Sequence, residues 1–127
     1  VGEVAEYVAT LDGAQRELVG RLLDRVRALV PDVEEGTSYG LAAFRYRGRP
    51  LLSVVAAASG CTAYPFSADV TAAVLATLDG FDATKGGIRF TVERPLPDAA
   101  LDALVQGRRA EIDAALARPR RRTPTAG

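Results

Sequence analysis

Leu18, Leu22, Val26 and Leu29, flanked by Val19, Leu23 and Val30, recur at intervals of three and four and stop at Pro31. That spacing lays one wide apolar stripe along a helix, and proline ends it because it cannot continue the backbone ladder. A stripe this wide needs a second layer to bury it. Residues 34–66 supply one, breaking into short strand-like runs punctuated by glycine. Ala42, Phe44 and Tyr46 fall on one face at period two, and Arg45 and Arg47 on the other. Residues 47–50 read as a hairpin turn before the apolar run 51–58, and Ser59-Gly60 begins another before Cys61 to Tyr64. Pro65 ends that strand because it has no amide to donate.

The remaining elements are shorter. Val4, Val8 and Leu11 predict a helix over residues 3–11, and Asp12 with Gln15 has the pattern of a capping box for the long helix. Ser67 is placed to cap a helix that buries Val70, Val74 and Leu78, with Gly80 near its end. Residues 82–87 read as a loop and 88–92 as a half-buried strand, and Pro97 sits where a last helix begins. Leu101, Leu104, Val105, Ile112 and Leu116 form that helix's core face. Consecutive strands joined by short turns pair antiparallel, so the expected architecture is α+β: an antiparallel sheet of about five strands with helices packed on one face. Residues 1–117 are expected to form a single domain, followed by a disordered basic tail over residues 118–127.

With 48% hydrophobic and 25% charged residues, the chain is globular in balance rather than disordered. Sixteen basic and sixteen acidic residues cancel, but Arg118, Arg120, Arg121 and Arg122 crowd the tail, leaving the domain mildly acidic. That balance argues against a nucleic-acid binder apart from the tail itself. One cysteine, Cys61, excludes an internal disulfide and fits a reducing compartment. No apolar run approaches the ~20 residues of a membrane span, and residues 1–7 lack a signal peptide's basic start, so a cytoplasmic location is expected. The absence of histidine removes Ser-His-Asp and Cys-His catalysis and histidine metal sites, and neither phosphate-loop nor dinucleotide fingerprint is present. The chain is therefore read as not an enzyme.

Two constellations remain. Asp32, Glu34 and Glu35 cluster where the long helix passes into the sheet, with Glu17 and Asp24 on that helix's exposed side. Carboxylates are hard oxygen ligands that suit a weakly held cation, and the plain alternative is a solvated acidic turn. The second is Thr84-Lys85-Gly86-Gly87, where the only lysine stands beside two glycines. Glycines let backbone N–H groups turn toward an anion, and Tyr39, Tyr64 and Arg89 are candidates to line a ligand pocket with Lys85. A turn with one exposed charge accounts for the same residues. Cys61 reads as a small buried hydrophobe.

The segments Ser38-Tyr39-Gly40-Leu41-Ala42-Ala43-Phe44, Tyr64-Pro65-Phe66-Ser67, residues 84–90 and Pro95-Leu96-Pro97 carry a resemblance. In this order and spacing the chain resembles the YdhG-like family, domain of unknown function 1801, over residues 5–110. The resemblance implies a compact frataxin-like α/β sandwich. It also implies a weak iron-binding chaperone role toward iron–sulfur cluster or haem assembly proteins, with Asp32, Glu34, Glu35, Glu17 and Asp24 on the iron-facing surface. The alternative is a binding module for a small anionic ligand or protein partner through the Tyr39 and Lys85 loops. The chain departs from a good iron carrier in that Arg16, Arg21, Arg25 and Arg27 interleave with the helix's acidic residues.

Overall fold

The computed structural model describes residues 2–84 and 86–117; the tail expected from residue 118 lies outside them. Two helices, α1 (Glu3–Ala9) and α2 (Gly13–Leu29), lead into strands β1 (Glu34–Ser38), β2 (Leu41–Tyr46), β3 (Arg49–Ala57) and β4 (Gly60–Tyr64). Helix α3 (Ala68–Leu75), the short hairpin β5 (Ala83–Thr84) and β6 (Gly87–Phe90), and helix α4 (Asp98–Ala117) complete the fold. The strands form one sheet in the order β1-β2-β3-β4-β6-β5, every neighbouring pair antiparallel. The α+β architecture is as expected, with six strands rather than five. The sixth is β5, two residues paired to Ile88 and Gly87 inside the segment read as a loop.

The helices pack against one face of the sheet. Phe44, Leu52, Val54, Cys61, Ala63, Ile88 and Phe90 alternate along their strands into a single core with Leu22, Val26, Leu101, Leu104 and Ile112. Strand alternation alone cannot bury both Leu51 and Leu52 on that face, yet both are fully buried. A bulge explains it: Phe44 pairs with Leu52 and Arg45 with Pro50, so Leu51 is the extra residue and both leucines turn inward. Above the bulge, Ser53 Oγ donates to Ala42 O at 2.7 Å. Tyr7 covers the upper end of β3, its hydroxyl accepting from Ala56 N at 2.8 Å and lying 3.4 Å from Ala56 O.

Helices α2 and α4 are clasped by charge. Arg25 grips Asp102 with two bonds of 2.7 and 2.8 Å, and Arg21 reaches Asp98 at 3.1 Å. Helices α3 and α4 approach closely at Gly107, where any Cβ would lie 3.2 Å from Val70 Cγ1. The expected capping box at Asp12 is not formed. Asp12 occupies the N-cap position of α2 without a side-chain bond, and Gln15 instead donates across to Ala57 O at 2.7 Å. Ser67 does cap α3, accepting from Val70 N at 3.2 Å, and Pro97 O accepts the first helical bond of α4 from Leu101 N.

Candidate functional site

Two hairpin turns place two residues each at positive φ: Tyr39 (53°) with Gly40 (77°), and Arg47 (52°) with Gly48 (80°). Tight turns of this kind favour Asn, Asp or Gly at such positions because a Cβ there is crowded. Tyrosine at position 39 is therefore not what the turn itself asks for. Tyr39 is 86% exposed, and its ring stacks on Phe66 with centroids 5.8 Å apart and planes 22° from parallel. Phe66 is the third non-glycine residue at positive φ (58°), held between Pro65 and the α3 cap Ser67. Backbone of this kind costs roughly 1–2 kcal/mol per residue and persists where the surroundings enforce it.

The two rings border an open cleft of about 390 Å³, completed by Leu41, Tyr64, Ser67, Ala68 and Gly86. Tyr64 leans over Gly87, where a Cβ would lie 2.8 Å from Tyr64 Cδ1 and 2.8 Å from Ala63 O. Only glycine fits there. Thr71 Oγ1 donates to Gly86 O at 2.8 Å and so fixes the β5–β6 turn against α3. The first turn of α3 opens on the same cleft, and the leading amides of a helix have no partner within it. Ser67 Oγ, besides capping, donates to Glu111 Oε2 at 2.8 Å.

Of the ligand residues read from sequence, Tyr39 and Tyr64 thus come together, and Lys85 lies outside the described residues. Arg89 does not join them. It lies two residues beyond Gly87 and lines a separate cavity with Phe81 and Arg94. The residues that sequence reasoning missed are Phe66 and the α3 start. Their signal was the Pro65-Phe66-Ser67 run, which puts an aromatic between a strand stop and a helix cap.

The acidic residues do not assemble. Glu34 and Glu35 are neighbours on β1 and so face opposite sides of the sheet, Glu34 opposite Arg45 and Glu35 opposite Phe44. Glu35 is committed to the fold: Oε1 accepts from Ala5 N at 2.9 Å and Oε2 from Arg27 at 3.1 Å. It thereby caps α1, whose own N-cap is Gly2, and a Cβ on Gly2 would lie 2.5 Å from Glu35 Oε1. Burial pushes the Glu35 carboxyl up, but the amides of Ala5 and Val4 and the Arg27 guanidinium together hold it below the usual carboxylate range. Asp24 pairs with Arg27 at 2.8 Å, while Asp32 and Glu17 are exposed. Among the described residues no three His, Cys, Asp or Glu side chains converge as a metal set. Cys61 is fully buried beside Phe90, and burial raises its thiol. No helix among the described residues is long and apolar enough to cross a membrane.

A six-stranded antiparallel sheet backed by four helices is an α+β domain of the YdhG-like fold. The solved structure of YdhG from Bacillus subtilis, a protein of the DUF1801 family, matches it with a TM-score of 0.72. The match covers 87% of this chain and 90% of that one at 18% sequence identity, so the likeness is one of fold. No family model and no curated protein matches the sequence.

Proposed function

We propose that the protein is a non-enzymatic binding module whose ligand seats in the cleft between Tyr39, Tyr64, Phe66 and the first turn of α3. The carrying observation is the stacked Tyr39–Phe66 pair, two aromatic residues held at positive φ, one of them almost wholly exposed. An exposed ring contributes little to the core, whereas a stacked pair beside a cleft offers a flat apolar surface to a planar ligand. The amides opening α3 favour an anionic group at one end of that ligand. The matching chemistry is a small aromatic carboxylate or phosphate ester. Of the two glycines beside Lys85, which the sequence offers either as an anion-binding turn or as a plain one, Gly86 lies on the same rim.

The iron reading that came with the family resemblance has less support. Glu35 is already bonded through both oxygens, and Glu34 faces away from it. Micromolar Fe(II) binding in an anaerobic titration, absent with Mg and lost in Glu34→Ala, would reinstate it in place of the cleft.

The cleft is tested by melting the protein against a panel of aryl carboxylates and aryl phosphates, since a ligand specific to the native state raises the midpoint. Tyr39→Asn keeps a residue the turn accepts and removes the ring. The expected outcome is a raised midpoint for the parent and at least about tenfold weaker binding in the variant, which melts no lower when free. A panel without any shift, or a variant that responds like the parent, removes the assignment.

A further inference from the structure

Beyond the aromatic cleft, we propose a second binding site, for a small oxyanion, in the cavity of about 220 Å³ where Arg89 and Arg94 meet Gly80, Phe81, Asp82 and Thr91. Arg21, Arg25, Arg27, Arg47 and Arg108 are each paired with a carboxylate. Among the described residues neither Arg89 nor Arg94 has an ion-pair partner, and no ion pair joins Asp82 to either. Arg16, Arg45, Arg49 and Arg109 also lack a carboxylate partner among the described residues, and what sets Arg89 and Arg94 apart is that they line one cavity together. The lining residues include two arginines and one carboxylate, Asp82, so the lining is net positive.

Arg94 is set in place before any ligand arrives. Its guanidinium lies 4.7 Å from the centroid of the Phe81 ring, and its Nη2 donates to Asp79 O at 2.6 Å. Thr91 and Arg94 bond reciprocally, Arg94 N to Thr91 Oγ1 at 2.9 Å and Thr91 N to Arg94 O at 3.1 Å. Gly80 makes room for this: at φ 78°, a Cβ there would lie 2.6 Å from Arg94 Nη2. Arg89 is exposed on β6, and its backbone amide donates to Asp82 O at 2.9 Å, which ties the strand to the loop. Its side chain has no hydrogen-bond partner among the described residues. One fixed guanidinium and one free to close across a net-positive cavity match an anion with two or more oxygens, because each planar fork pairs with a carboxylate or phosphate. The cavity's volume admits phosphate or a short dicarboxylate.

The test follows the arginine Nε–Hε signals by NMR as inorganic phosphate, and separately malonate, is added to the protein at ionic strength held constant with chloride. Saturable shifts of both Arg89 and Arg94 are expected. A response to phosphate alone narrows the ligand to phosphoryl groups, and one to malonate alone narrows it to carboxylates. Arg89→Gln weakens binding about tenfold or more, the loss of a charged hydrogen bond, without lowering the melting midpoint. Arg49→Gln, which removes an equally exposed charge at the β2–β3 turn, leaves the affinity unchanged. Shifts that chloride reproduces, unchanged affinity in Arg89→Gln, or an equal loss in Arg49→Gln would overturn the proposal.

Discussion

Replacing Glu35 with glutamine keeps the side chain's length and removes its charge, and the consequence depends on pH. The native carboxyl titrates below its unfolded counterpart because two α1 amides and Arg27 bond to its ionised form. Its contribution is therefore complete above the unfolded value and is lost as pH falls through the native one. Asp102, held down by Arg25, and Asp113, held down by Tyr46 and Arg47, share the acid limb. Glu35→Gln should cost roughly 1 kcal/mol at neutral pH, the scale of a lost helix cap. That difference from the parent should shrink as pH falls below the unfolded carboxyl's ordinary value, and vanish once the native carboxyl is protonated too. Urea midpoints taken across this range decide the matter: a gap that stays constant with pH would mean that the charge is not what Glu35 supplies. The same residue shows why the acidic turn was ambiguous in sequence. Nothing in Asp32, Glu34 and Glu35 reveals that a helix N-terminus from residues 2–5 comes to rest on one of them.

Ser67 carries two jobs at the scale of an element, capping α3 and tying it to Glu111 of α4. Ser67→Ala should cost about 1–2 kcal/mol, the upper range for a cap, and loosen the first turn of α3. Amide exchange at Val70 should then outpace that of α4, and equal acceleration throughout would point to global destabilisation instead. This cap was legible because serine stands directly before an apolar-periodic run. Helices α2, α3 and α4 and the hairpins β2–β3 and β3–β4 were legible for a similar reason, being written in local periods and turn residues. The Asp12–Gln15 capping box was misread because Gln15 had a competitor 42 residues away, the carbonyl of Ala57, which no local pattern contains. The two residues of β5 are too few to show a period. The bulge at Leu51 hid as well, because an unbroken apolar run looks the same with or without an extra residue. For the cleft, Tyr39 and Tyr64 were found from turn and strand ends. Arg89 was misplaced because alternation gives a residue's face and not its position along that face.

At the scale of the whole molecule, β1, β2 and β3 each pair with the next strand in sequence, so most of the sheet closes through short loops. The α2–α4 clasp is different. Arg21 reaches Asp98 and Arg25 reaches Asp102 across 77 residues each, joining an early helix to the last one. Bringing such distant partners together closes a long loop, an entropy cost that favours their late formation. If the rate-limiting ensemble lacks them, Arg25→Ala should speed unfolding by less than about tenfold and leave the refolding rate unchanged. Tyrosine emission can follow both limbs, since the chain has no tryptophan. A slower refolding limb would place the clasp in the nucleus instead. These charges then have little say in how quickly a newly made chain finds its shape. They act as a latch, and what they govern is how long the finished molecule lasts before it comes apart.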